Sequence, residues 1–202
     1  MLSLEVLVLD GGRVVRRVAV NEDLREEYLR RRAGGNGDMI TLWFFRVVAA
    51  IFESVPAGVN GSPVSLKDIR GDDRSVIVKT SEEVYDPFSA SIWNTVGDRH
   101  NRFWISVGRD GTPPSPTDYS LRNKIAETMA TWNPNESART ILLTGGFVFA
   151  EDTTIYEVGL EWECNIARAP HPRKFLVDRT VFPNGIPVQA GQTLSVVYRI
   201  TL

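Results

Sequence analysis

Residues 154–164 have the sequence TIYEVGLEWEC, in which apolar and polar side chains alternate. The apolar side occupies the even positions: Tyr156, Val158, Leu160, Trp162 and Cys164. Successive side chains of a β-strand point to opposite faces of its sheet, so this alternation predicts a strand with one buried face. We expect an antiparallel sheet here, with Glu157, Glu161 and Glu163 on its solvent-exposed face.

The same alternation recurs in residues 141–149, at the odd positions, and in residues 194–202, at the even positions. Shorter β-rich runs occupy residues 4–9, 14–20, 76–78, 88–93, 103–107, 175–177 and 181–182. Turn-forming residues separate them, and Pro183-Asn184-Gly185 and Ala190-Gly191-Gln192 are both predicted turns. Short strands at this spacing predict a mainly β fold, an antiparallel β-sandwich of jelly-roll-like type.

The N-terminal third has a different pattern. Asp10-Gly11-Gly12 lies between two apolar runs and predicts an N-terminal hairpin. Asn21 is a suitable cap for a helix over residues 23–33 with acidic residues in its first turn. Residues 39–54 follow as a second helix or a buried strand pair. We therefore expect a hairpin followed by one or two helices.

This contrast predicts two units. Residues 1–60 would form a hairpin and helical arm or subdomain, and residues 61–202 the β-sandwich domain. Within the second unit, residues 119–129 favour a short helix. The longest apolar run, residues 39–52, is shorter than the ~20 residues needed to cross a bilayer, so we expect no membrane span.

The residue inventory offers little for catalysis. The 202-residue chain has a formal net charge of −2, one cysteine, Cys164, and two histidines, His100 and His171. One cysteine excludes an internal disulfide and a zinc site built on several cysteines. The sequence contains neither a phosphate-binding glycine loop nor a Gly-x-Ser-x-Gly nucleophile turn. We expect a protein that is not an enzyme and holds no cofactor and no metal.

Two charged clusters allow weaker alternatives. Asp68, Asp72 and Asp73 could bind calcium, although turn formation is the favoured interpretation because the full EF-hand loop is absent. Residues 13–32 hold seven arginines against four acids. The run Arg30-Arg31-Arg32 could make weak phosphate contacts with packaged nucleic acid, or salt bridges with a neighbouring subunit.

Four segments of the second half resemble a module in virion proteins of tailed phages and related prokaryotic, including archaeal, viruses. They are VGRDGTPPSPTDYSL at 107–121, IYEVGL at 155–160, LVDRTVF at 176–182 and VQAGQTLSVVYRITL at 188–202. The resemblance implies a structural component of a virus particle, located in the virion, in a head or a tail. Its implied partners are copies of itself and other virion proteins.

Residues in three parts of the chain are candidate interface residues. Long irregular loops are commonly functional or form interfaces, and residues 108–118 form one that is rich in proline. An apolar segment and the basic run supply the other candidates. The full set is Arg30, Arg31, Arg32, Trp43, Phe44, Phe45, Pro113, Pro114, Pro116, Asp118 and Tyr119.

Three residues of the β-rich half are predicted to be structural. Gly159 in the middle of a strand indicates a bulge or the close approach of another segment. Glu157 beside it could pair with Arg179 of a neighbouring strand, as an ordinary cross-strand pair on a sheet surface contributing about 0.2–1 kcal/mol.

Four functions stay open on the sequence. A virion structural protein that assembles through β-sandwich subunits and an N-terminal arm is preferred. A carbohydrate- or receptor-binding β-sandwich at a particle tip is the main alternative, and it requires exposed rings among Trp93, Trp104 and Trp132. An enzyme and a nucleic-acid-contacting inner protein are the other two hypotheses.

Overall fold

The computed structural model describes residues 2–22, 39–40, 64–78, 89–90, 102–135, 137–164 and 173–201. Within these residues the chain is mainly β and contains no helix, and the sheets are largely antiparallel. This confirms the predicted fold class at that level. None of the described residues belongs to a helix long and apolar enough to cross a membrane.

Thirteen strands make up the described part of the chain. They are β1 (Leu2–Asp10), β2 (Arg13–Glu22), β3 (Met39–Ile40), β4 (Val64–Lys67), β5 (Asp73–Val78), β6 (Ser89–Ala90), β7 (Arg102–Gly108), β8 (Lys124–Met129), β9 (Thr131–Asn135), β10 (Thr140–Val148), β11 (Thr153–Cys164), β12 (Arg173–Val188) and β13 (Thr193–Thr201).

The strands form two five-stranded sheets and a small third one. Sheet 1 has the order β2-β1-β13-β10-β9, and sheet 2 has the order β3-β12-β11-β7-β8. All neighbours in both sheets are antiparallel. The third sheet is β4-β5-β6, in which β5 and β6 are parallel.

Sheets 1 and 2 contribute to one hydrophobic core. Val6 of β1, Leu143 of β10 and Val196 of β13 represent sheet 1 in it, and each is almost fully buried. Sheet 2 contributes Val158 and other apolar residues of β7, β11 and β12. The predicted alternation in residues 141–149 and 194–202 therefore orients apolar side chains towards this core, as expected from period-two patterning.

A hydrogen bond between buried side chains joins the two sheets inside this core. The hydroxyl of Tyr198 on β13 donates to Oδ2 of Asp178 on β12 at 3.0 Å. Thr180 donates to the same oxygen at 3.1 Å. Oδ2 of the buried Asp178 carboxylate therefore accepts hydrogen bonds from both sheets, which lowers the cost of burying that oxygen.

The N-terminal strands are not separate from the rest of the chain. β1 lies between β2 and the C-terminal strand β13, with Val6 opposite Val196, and its apolar residues enter the shared core. Residues 2–10 therefore share a sheet and a core with strands that follow residue 60. Strand β2 continues through Asn21 and Glu22, so Asn21 does not mark the start of a helix.

Most of the remaining predicted arm lies outside the described residues. That part of the chain includes residues 23–33, for which a helix is predicted, and residues 41–54. Only Met39–Ile40 is described there, as strand β3 paired with Asp178 and Arg179. The structure therefore shows the beginning of segment 39–54 as a strand rather than as a helix.

Two local predictions are wrong because tertiary pairing overrides local preference. Residues 119–129 are not helical, since Lys124–Met129 forms β8 and pairs with β7. Pro183-Asn184-Gly185 does not end a strand. It lies within β12, where the pairing with β11 jumps from Ile186 to Val181 and the extra residues bulge out. Gly185 adopts a left-handed φ of 62° there. The turn at Ala190-Gly191-Gln192 is present.

Candidate functional site

The face of sheet 2 that points away from the core is polar and yet buried. Glu157 and Glu161 are both 0% exposed, so the expectation that these glutamates lie in water is wrong. Glu157 is covered by a stretch of irregular chain, residues 109–123, which we call the capping loop. Its two ends meet where the N–H of Arg109 donates to the carbonyl oxygen of Asn123 at 3.0 Å.

Glu157 fixes the end of the capping loop to sheet 2. Its Oε1 accepts a hydrogen bond from the N–H of Asn123 at 2.8 Å, and its Oε2 accepts one from the N–H of Arg122 at 3.2 Å. Arg179 Nε donates to Oε2 at 2.8 Å. The predicted pair between Glu157 and Arg179 is therefore present. However, both side chains are fully buried, so the pair is not an ordinary surface contact.

Arg179 holds the capping loop between Asp110 and Asp118. Its Nη1 donates to the carbonyl oxygen of Thr112 at 3.2 Å and to Oδ2 of Asp118 at 3.0 Å. Its Nη2 lies 3.5 Å from Oδ1 of Asp110. One guanidinium thus joins β12 to β11 and to two separate parts of the loop. It can do so because its several N–H donors point in fixed directions from one plane.

Short-range hydrogen bonds shape the capping loop itself. Asp118 Oδ2 accepts from the N–H of Ser115 at 2.8 Å, and Asp110 Oδ1 accepts from the N–H of Thr112 at 2.8 Å. The hydrogen bonds from Thr112, followed by the charge of Arg179, lower the pKa of Asp110 below its usual value.

The interface candidates of the capping loop differ in exposure. Pro113 and Pro116 are exposed, Tyr119 is 38% exposed, and Pro114 is half-buried. Asp118 points inwards to Arg179 and acts as a support, so it does not lie on the outer surface of the loop. The loop therefore presents prolines and a tyrosine ring from a fixed backbone.

Two glycines allow the loop to lie close to the sheet. A Cβ on Gly159 would collide with the buried side chain of Leu121. A Cβ on Gly108 would collide with the Glu157 carboxylate and would lie 2.6 Å from the carbonyl oxygen of Asn123. The close approach predicted at Gly159 is therefore present, while the register shifts of β11 lie on either side of it.

A second polar cluster continues along the same face from Glu161. Ser106 Oγ donates to Glu161 Oε1 at 2.7 Å, and Lys124 Nζ lies 3.1 Å from the same oxygen. Lys124 also contacts Glu127 at 2.8 Å, and Lys174 contacts Glu127 at 2.6 Å. Nothing in the sequence singles out the two lysines and Glu127, because the Lys124–Glu127 spacing also suits a helix.

The charges of this cluster reinforce one another. Burial alone would lower the pKa of Lys124, but Glu161 and Glu127 beside it raise the pKa above its usual value. Burial alone would raise the pKa of Glu127, but Lys124 and Lys174 lower it. Both groups are therefore held in their charged forms at neutral pH, which suits structural ion pairs better than proton transfer.

A polar cleft of about 380 Å³ opens beside this cluster. It is lined by Asp68, Ile69, Arg70, Lys124, Glu127, Glu163, Arg173 and Lys174. Four of these side chains are basic and three are acidic, so the cleft has no strong preference for an anion or a cation.

Asp68 at the edge of the cleft organises the turn between β4 and β5. Its carboxylate accepts hydrogen bonds from the N–H groups of Arg70 and Asp72, at 2.9 and 3.1 Å, and from Arg74 Nε at 3.0 Å. These bonds, with Arg74 first, outweigh burial and lower its pKa. Asp68 is thus a turn-forming residue. The described residues contain no group of three side chains placed to hold a metal ion.

The tryptophans proposed for carbohydrate binding have different environments. Trp104 donates from Nε1 to Glu163 Oε2 at 2.8 Å, and Lys174 Nζ lies 3.6 Å above its ring, so one face is covered. Trp132 on β9 is 48% exposed. Trp93 lies outside the described residues, as do Arg30, Arg31, Arg32, Trp43, Phe44 and Phe45.

Comparisons with known proteins add no relative. No family model, no curated protein and no solved structure matches the chain.

Proposed function

We propose that this chain is a structural subunit of a virus particle, which assembles with copies of itself and with other virion proteins in a head or tail. The observation that carries the proposal is the capping loop. Its exposed Pro113, Pro116 and Tyr119 rest on a backbone held by the buried Glu157 and Arg179. The resemblance to virion proteins of prokaryotic viruses includes this same segment, residues 107–121.

A fixed loop is useful for assembly because ordering a surface segment costs conformational entropy. If the loop is already held in its bound conformation, the entropy of ordering it is lost during folding. Subunit association then loses less binding free energy to ordering the loop. Buried ion pairs such as Glu157–Arg179 add little net stability compared with apolar residues, so defining one loop geometry is a sufficient reason for them.

We further propose that sheets 1 and 2 are the two layers of a jelly-roll-like sandwich, with β1 and β2 as its N-terminal hairpin. Their shared core supports this arrangement. In this architecture β1 and β2 belong to the subunit body, so an exchanged arm would have to come from residues that follow β2.

Mass spectrometry and immunogold labelling of purified particles encoded by the same genome test the virion assignment. We expect the chain in many copies per particle. Its absence from such particles would overturn the proposal.

A charge on the capping loop tests the surface. Pro113→Glu is expected to prevent incorporation into particles, because an exposed contact would acquire an unpaired carboxylate. Pro183→Glu is the matched control, since Pro183 is also exposed but lies in the β12 bulge. Thermal melting should show both variants folded. If both variants assemble like the parent chain, the capping loop is not an assembly surface.

A carbohydrate- or receptor-binding module at a particle tip is the second candidate, and the exposed ring of Trp132 favours it. Glycan-array binding that is lost in Trp132→Ala would support it. If the protein binds no glycan but is found in particles, the binding-module hypothesis is excluded and the structural subunit stays as the proposed function.

A further inference from the structure

Within the described part of the chain, one sheet edge has no further strand beside it. β8 and β9 are consecutive and are joined by Ala130, whose N–H donates to the carbonyl oxygen of Phe103 at 2.9 Å. β8 ends sheet 2 and β9 ends sheet 1. Among the described strands β9 pairs only with β10, and all five of its residues are exposed.

This edge has few of the features that prevent pairing with another chain. Natural edges carry charged side chains, prolines or bulges, because unpaired N–H and C=O groups are a template for further strands. Residues 128–135 contain no charged side chain and one proline, Pro134. They also present two large exposed apolar residues, Met129 at 50% and Trp132 at 48%.

The opposite edge of sheet 1 is guarded. Strand β2 carries Arg13, Arg16 and Arg17, all of them exposed, and its pairing with β1 contains a bulge between Val8 and Leu9. Two β2 edges brought together would place these like charges near one another. Two β9 edges would not, since residues 131–135 are neutral.

We propose that β9 pairs antiparallel with β9 of a second copy of this chain, so that sheet 1 continues through a two-fold axis into its partner. A two-fold contact uses the same patch on both copies, and the uncharged β9 edge meets that requirement. Pairing centred on Asn133 places each Trp132 beside Pro134 of the other copy and removes both rings from water. This dimer does not depend on the virion assignment.

Sedimentation velocity over a concentration series tests the dimer. We expect the full chain to dimerise. Trp132→Lys should raise the dissociation constant at least about tenfold, because each copy loses an aromatic contact and the two lysines bring like charges into the interface. Val15→Lys is the matched control, since Val15 is 53% exposed on the guarded β2 edge. A wild-type chain that stays monomeric, or a dimer weakened by Val15→Lys and not by Trp132→Lys, overturns the proposal.

Cysteine crosslinking gives a second test if Trp132→Lys fails to fold. In a Cys164→Ser background, Asn133→Cys should form a disulfide-linked dimer under mild oxidation, because the two positions meet at the axis. Val15→Cys in the same background should stay monomeric. Equal crosslinking of both variants would indicate random collision and contradict the pairing of β9.

Discussion

At the scale of single residues, Arg179 is the group on which the capping loop depends. Its guanidinium donates to Glu157, Asp118 and the carbonyl oxygen of Thr112, and the side chain is fully buried. Removing one partner of a buried ion pair leaves an uncompensated charge, whereas removing both charges together avoids that penalty.

The double substitution should therefore be milder than the single one. Arg179→Met is expected to lower the free energy of unfolding by about 3–5 kcal/mol. Adding Glu157→Gln removes the stranded charge and keeps a carbonyl acceptor for one of the two loop N–H groups, so part of the loss should be recovered. Urea denaturation of both variants measures this. If adding Glu157→Gln to Arg179→Met lowers the free energy of unfolding further, the coupling between the two side chains is contradicted.

Asp68 makes stability depend on acid pH. Its folded-state pKa is lowered from the usual 3.8, so its ionised form stabilises the fold fully above pH 3.8. That contribution is lost as the pH falls from 3.8 through the lower folded-state pKa. We expect Asp68→Asn to be less stable than the parent chain at pH 7, with the difference shrinking below about pH 4. Chemical denaturation at a series of pH values checks this, and a constant difference would count against it.

At the scale of elements, the capping loop and β8 show how tertiary contacts decide local structure. Residues 119–129 have a pattern that suits a helix, but β7 offers an open strand edge and β8 pairs with it. The loop before β8 turns over the polar face of sheet 2 because Glu157 accepts its backbone N–H groups. Neither cause is local in sequence.

Gly108 is the position where this docking can be tested. Gly108→Ala would push its methyl group against the carbonyl oxygen of Asn123 and the Glu157 carboxylate, and should cost about 1–3 kcal/mol. Trypsin should also cleave faster at the exposed Arg109 and Arg122. Gly146→Ala is the control, since nothing lies within 4 Å of its added Cβ. Equal stability and equal cleavage of the two variants would show that the loop is not tightly docked.

At the scale of the whole molecule, the first strands complete the sheet that holds the last strand. β1 pairs with β13 along eight residues from Leu2 opposite Ile200 to Leu9 opposite Thr193. Its core side chains Leu4, Val6 and Val8 are at most 2% exposed. The N-terminal segment is therefore part of the folded body in this structure.

A chain without residues 1–22 is expected to be unfolded or aggregated. Each lost Leu or Val side chain removes roughly 1.5–3 kcal/mol of burial, and the three together approach the 5–15 kcal/mol that typically stabilises a domain. The truncation would also expose the edge of β13. Circular dichroism and thermal melting measure the outcome. A cooperative transition near that of the full chain would mean that the N-terminal strands are a separable arm after all.

The sequence alone determined the properties that depend on neighbours along the chain. Alternation predicted the mainly β fold and the apolar faces of β10, β11 and β13, because side chains of a strand point to opposite sides whatever the strand packs against. The placement of Glu157 and Arg179 on neighbouring predicted strands was enough to suggest their pair. The turn formed by Asp68 could also be predicted, since its hydrogen bonds reach only two, four and six residues away.

Only the tertiary structure decided what covers each face and which strands are neighbours. Glu157 of β11 is polar, and a strand pattern cannot show that residues 109–123 lie over it and that Arg122 and Asn123 donate hydrogen bonds to it. The adjacency of β1 and β13, the strand at 124–129 and the position of β9 at an edge of the described strands likewise depend on contacts between residues far apart in sequence. These contacts form because burying apolar area and satisfying backbone groups in a sheet outweigh local preference.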